Sequence, residues 1–158
     1  MRHLSVPATR LIHEHIGTIM SVAYSRRPLQ QIMRSHFQGE SKYVRRALFE
    51  IPEGLAERAL IELGLYIRVV DDAENVSSYF GKSAFGEVVQ ADGSRTPLLI
   101  REVANKIIHA ERYEWKVFAD VEPSVTCFAP ESQRERFKWS EASINLVTLT
   151  GFCGSLMS

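Results

Sequence analysis

Cysteine is almost missing from this sequence: Cys127 and Cys153 stand alone, without CxxC spacing. Two isolated thiols argue against a disulfide framework and against a thiolate zinc site, and predict buried free cysteines. Net charge is missing too, because nineteen basic residues meet nineteen acidic ones. No global electrostatic footprint for nucleic acid exists, so any such contact must use a local patch. No uninterrupted apolar run approaches the roughly 20 residues a membrane-spanning helix needs, and the first six residues carry no apolar leader core. The expectation is a soluble, cytoplasmic chain. No internal repeat and no low-complexity stretch is visible. GxxxxGK[ST], GxGxxG and GxSxG are all lacking, which leaves nucleotide-fold and hydrolase-fold enzymes unsupported. His13-Glu14-His15 lacks the HExxH spacing that sets two imidazoles on one helical face, and Gly81-Lys82-Ser83 lacks the upstream glycine of a phosphate loop. No metal or cofactor is expected.

What is present is helical periodicity. Leu11, Ile12, Ile16, Ile19, Met20 and Ala23 predict a helix over residues 7–24, with Pro7 in its first turn. Arg26-Arg27-Pro28 predicts a break, and Pro28 can open a second helix through Leu29, Ile32, Met33 and Phe37. The strongest helix covers residues 52–75. Ala56, Ala59, Leu60, Leu63, Tyr66, Ile67 and Val70 make its apolar stripe, with Glu53, Glu57 and Glu62 on the other side. Residues 75–96 read as a connector with helical content around 80–89 and a turn at Asp92-Gly93-Ser94. Thr96 as N-cap and Pro97 at the first helical position then start a helix reaching Arg112. Beyond it the period changes to two, at Tyr113, Trp115 and Val117 and again at Val125, Cys127 and Ala129. The predicted fold is one α+β domain over residues 1–158, mainly helical. A bundle of four to five helices over 7–112 is followed by a small antiparallel β-rich tail over 113–146 and a short helix over 147–157. Its core should centre on Leu60, Leu63, Ile67, Val103 and Ile107.

The helix after Pro97 holds the most chemistry. With about 100° per residue and Arg101 at zero, Arg112 falls near 20°, Asn105 near 40° and His109 near 80°. A guanidinium offers paired donors to phosphate oxygens, and an imidazole beside it can move a proton near neutral pH. Any amphipathic surface helix also has such a polar face, and His109 could simply bond a neighbouring element. Arg68 and Asp71 close the long helix as further candidate binding residues, with Asp72 placed to pair with Arg68 at i, i+4. Adjacent Asp71 and Asp72 point about 100° apart and do not make a metal site. Arg26, Arg27, Arg34, Lys42, Arg45 and Arg46, with Tyr24, His36, Phe37 and Tyr43 among them, form a second basic and aromatic region. It reads as a nucleic-acid or partner surface, or as a solvated face.

Two segments, residues 58–72 and 99–110, resemble small bacterial proteins of a HEPN-like helical-bundle type, and the likeness runs from Pro52 onward. Members of that superfamily are often metal-independent ribonucleases of toxin–antitoxin and anti-phage systems, working as dimers, while others only bind. Their motif is commonly RNxxxH. Asn105 and His109 match its Asn and His, Ala104 stands where the Arg belongs, and Arg101 lies one turn earlier on the same face. The resemblance implies catalytic roles for Arg101, Asn105 and His109, RNA or an antitoxin-like protein as partner, and a homodimer; Arg68, Asp71 and Arg112 are expected to support binding from their places on the two helices. A non-catalytic RNA-, nucleotide- or protein-binding module and a purely structural bundle are the alternatives.

Overall fold

A computed structural model describes residues 6–39, 42–117 and 120–156. The chain is α+β. Helix α1 (Val6–His36) is followed by the short α2 (Lys42–Arg45), a π-helical turn at Arg46–Glu50 and the 24-residue α3 (Ile51–Glu74). The short α4 (Ser77–Phe80) leads into strands β1 (Ala84–Gln90) and β2 (Arg95–Leu99), and then into α5 (Ile100–Ile108). Strands β3 (Arg112–Lys116) and β4 (Ser124–Phe128), a short α6 (Arg134–Phe137), β5 (Trp139–Asn145) and α7 (Leu146–Ser155) complete it.

The five strands form one antiparallel sheet in the order β2-β1-β5-β4-β3. Val88, Ala142, Cys127 and Tyr113 lie in register across it, as do Gly86, Ile144, Val125 and Trp115. These two rows make the buried face, and α5 and α7 pack against it. A second layer of α1 and α3 packs on those helices. The alternate row of Glu87, Ser143, Thr126 and Glu114 belongs to the opposite face. Phe85 and Val88 are both buried although three residues apart, because the β1 register shifts between Ala84 and Glu87. Gly86 makes that shift possible: its φ is +151°, and a Cβ there would sit 1.8 Å from the Ser143 carbonyl oxygen.

Several expectations are corrected here. The break at Pro28 does not occur, and α1 runs straight through it. An interior proline costs about 3 kcal/mol. Burial of Ile12, Ile16, Ile19 and Ala23 anchors the helix before it, and the exposed stretch around Pro28 leaves the freed carbonyl to water. The connector with helical content over 80–89 is instead strand β1, and Thr96 and Pro97 lie in strand β2 rather than opening a helix. Asp92-Gly93-Ser94 is the turn of that hairpin, closed by Gln90 N–H donating to Ser94 O at 2.8 Å, with Gly93 at φ +86°. Pro97 is tolerated because β2 is an edge strand, where a missing N–H is harmless. Finally, the helix expected to reach Arg112 stops at Ile108, and Arg112 is the first residue of β3. The sheet therefore starts at Ala84, not after residue 112, and it has five strands rather than a small C-terminal pair or trio.

The expected core is present. Leu60, Leu63 and Ile67 of α3 are buried with Val103 and Ile107 of α5. Gly64 allows the close approach: a Cβ there would come within 2.9 Å of the Ile107 side chain.

Candidate functional site

Helices α3 and α5 meet along a polar seam that gathers four of the six candidate residues. Arg68 Nη1 donates to the Asn105 side-chain oxygen at 2.5 Å, while its Nε donates to Asp72 at 3.2 Å. Asp71 is only 5% exposed and accepts the Ser77 N–H at 2.7 Å, which ties the end of α3 to the start of α4. Its other oxygen faces Arg101 at 3.5 Å, an ion pair without a hydrogen bond. Arg101 itself is 58% exposed. Two guanidiniums and two carboxylates balance, so the seam clamps α5 onto α3 and presents little net charge.

His109 and Arg112 belong elsewhere. His109 closes α5 as its exposed C-cap residue, with its ring 5.1 Å from that of Phe137 in α6. It lies eight residues beyond Arg101, about 12 Å along a helix axis. Arg112 places its guanidinium 3.7 Å over the Phe128 ring and 3.8 Å from Glu114. The single strip of Arg101, Asn105, His109 and Arg112 expected from helical spacing is therefore divided among three surroundings. Between them, Lys106 caps the buried Trp139 with its ammonium 4.8 Å from the ring. Burial there pushes the Lys106 ammonium below the ordinary lysine range, opposed by Glu102.

A larger concavity lies on α1. An open groove of about 790 Å³ runs between Tyr24, Arg27, Gln31 and Arg34 of α1 and the β3–β4 connection at Asp120 and Glu122. Only an unbroken helix brings Tyr24, Arg27 and Arg34 to one side, within about 80° of arc. The expected break at Pro28 concealed this alignment. Among the described residues neither Arg27 nor Arg34 has an acidic partner, whereas Arg26 pairs with Glu53 at 3.0 Å and Arg45 lies over Phe49. The facing wall, from the β3–β4 connection, left no signal in the sequence.

Among the described residues, no group of three or more His, Cys, Asp or Glu side chains could hold a metal ion. Both thiols are buried, and burial pushes each up to about 12, so neither is a nucleophile near neutral pH. No helix is long and apolar enough to cross a membrane, among the described residues. The class that these features define is an α+β domain with two layers of helices on one face of a five-stranded antiparallel sheet. No protein-family model matches the chain, and no curated protein or solved structure matches it significantly.

Proposed function

We propose that this protein is a non-catalytic binding module of the cytoplasm that takes a phosphate-bearing ligand, single-stranded RNA being the class with the best fit. The observation that carries this reading is the pair Arg27 and Arg34, which have no acidic partner among the described residues and line an open groove beside Tyr24. Guanidiniums donate to phosphate oxygens in pairs, and an exposed tyrosine ring is a stacking platform for a base. The groove walls also carry Asp120 and Glu122, which limit affinity and favour a ligand whose phosphates run along the α1 side. In a binding assay with a fluorescent single-stranded RNA, Arg27→Ala with Arg34→Ala is expected to weaken binding at least about tenfold, in line with the loss of two charge-assisted contacts. RNA binding that is absent from the native protein, or untouched by the double substitution, overturns the reading.

A HEPN-like, metal-independent ribonuclease is the second reading, favoured by exposed His109 one helical turn beyond Asn105. On that reading His109 exchanges a proton with the ribose 2′-hydroxyl or the leaving oxygen, and Arg101 steadies the phosphate. It predicts RNA cleavage in the presence of a chelator, lowered about 10²–10⁴-fold by His109→Ala with the melting temperature unchanged. Binding without cleavage keeps the first reading and removes the second.

A further inference from the structure

Helix α3 has a second apolar stripe that the fold leaves uncovered. Ile51, Leu55, Ile61, Leu65 and Val69 are 51%, 54%, 39%, 48% and 56% exposed, respectively. They lie on the side of α3 opposite the buried Leu60, Leu63 and Ile67, within an arc of about 120°. Eighteen residues separate its ends, so the stripe is about 27 Å long. Isolated exposed aliphatics need no explanation, but an aligned row of five on one helix marks an interaction surface.

The order of residues along the stripe points to its occupant. Read outward from position 60, Arg58 stands opposite Glu62, Leu55 opposite Leu65, and Ile51 opposite Val69. A two-fold axis at that point would lay α3 antiparallel to a copy of itself. Each leucine would then meet a leucine, each end aliphatic its counterpart, and each Arg58 the partner's Glu62. Isologous interfaces require this kind of self-complementarity, in which residue i meets j while j meets i. A parallel arrangement would set Arg58 against Arg58 and Glu62 against Glu62, and like charges facing each other are costly. Within one chain Arg58 Nε already donates to Glu62 at 2.9 Å, so the pair sits side by side at the middle of the stripe. Two copies would close it into a ring of two guanidiniums and two carboxylates, flanked by leucines on both sides.

We infer that the protein forms an antiparallel homodimer through the exposed face of α3, with Arg58 and Glu62 at the two-fold axis. Two helices crossing at about 20° stay in contact over several turns, which suits a stripe this long. The α1 groove takes no part, so the inference stands independently of the function proposed above.

Sedimentation of the full chain is expected to give twice the 17.9 kDa chain mass. Leu65→Glu puts a carboxylate in the seam and is expected to raise the dimer dissociation constant at least about 100-fold. Because Leu65 is exposed in the single chain, its circular dichroism should stay unchanged. Orientation is tested by thiol cross-linking, with Cys127 and Cys153 buried out of reach. Leu55→Cys mixed with Leu65→Cys should cross-link, while Leu55→Cys alone should not, because its own copies would lie about 15 Å apart along the axis. A wild-type mass of one chain overturns the inference. So does a dimer that survives Leu65→Glu, or one in which Leu55→Cys cross-links only with itself.

Discussion

Asp71 and Arg101 face each other and yet have different work. Asp71 is buried and holds the Ser77 N–H, whereas Arg101 reaches into solvent at the edge of the seam. Asp71→Ala strands that N–H and is expected to lower unfolding free energy by about 1–3 kcal/mol in denaturant titration. Arg101→Ala should cost less than Asp71→Ala, because the guanidinium is largely exposed and stands 3.5 Å from the carboxylate without a hydrogen bond. Tyr113 offers a pH probe. Its hydroxyl donates to the Ile107 carbonyl at 2.6 Å, and burial, aided by Cys127 and Glu57, pushes it up to about 12. An unfolded tyrosine ionises near 10. Between about pH 10 and 12 the folded state therefore keeps a proton that the unfolded state has released, and stability falls as pH rises through that window. Tyr113→Phe should flatten this part of the alkaline melting profile. The thiols behave alike: alkylation at pH 8 should leave Cys127 and Cys153 unmodified in native protein and label both after unfolding, read by mass spectrometry.

Among the elements, the α3–α5 packing was legible and the first hairpin was not. Leu60, Leu63 and Ile67 recur at helical spacing with nothing to contradict it, and all three are buried. Leu63→Ala is expected to cost about 2–5 kcal/mol in denaturant titration. Strand β1 hid its period because the irregularity at Gly86 sets buried Phe85 and Val88 three residues apart, which mimics a helix. Gly86→Ala tests that account: the carbonyl of Ser143 leaves no room for a methyl group, and a loss on the order of 3 kcal/mol is expected. Thr96-Pro97 has the composition of a helix start, and only its place at the sheet edge decides otherwise. The candidate site suffered from the same limit. Arg101 and Asn105 share the polar face of α5 that helical spacing predicts and meet α3 there, but the helix ends at Ile108, so the spacing fails beyond it and Arg112 belongs to a strand. Tyr24, Arg27 and Arg34 were visible as residues, and their alignment was not, since it depends on a proline being tolerated.

For the molecule as a whole, zero net charge makes any nucleic-acid contact a local affair. Two phosphate contacts on a single strand imply a salt slope of about −1.4, or roughly sevenfold weaker binding between about 50 and 200 mM salt. A much steeper dependence would mean that more of the basic residues take part than the groove presents. The strand order also has a consequence for how the chain assembles. β5 is the last strand in the sequence, and it stands at the centre of the sheet between β1 and β4. The hairpins β1–β2 and β3–β4 can each form early from neighbouring residues, but nothing joins them until Trp139–Asn145 arrives. Until then both present a bare inner edge, the kind of template on which strands of other chains add. Such long-range closure is slow in folding. A ribosome stalled short of Trp139 would release a chain with two half-sheets open to one another's copies, so translation has to finish β5 before the sheet is safe from aggregation.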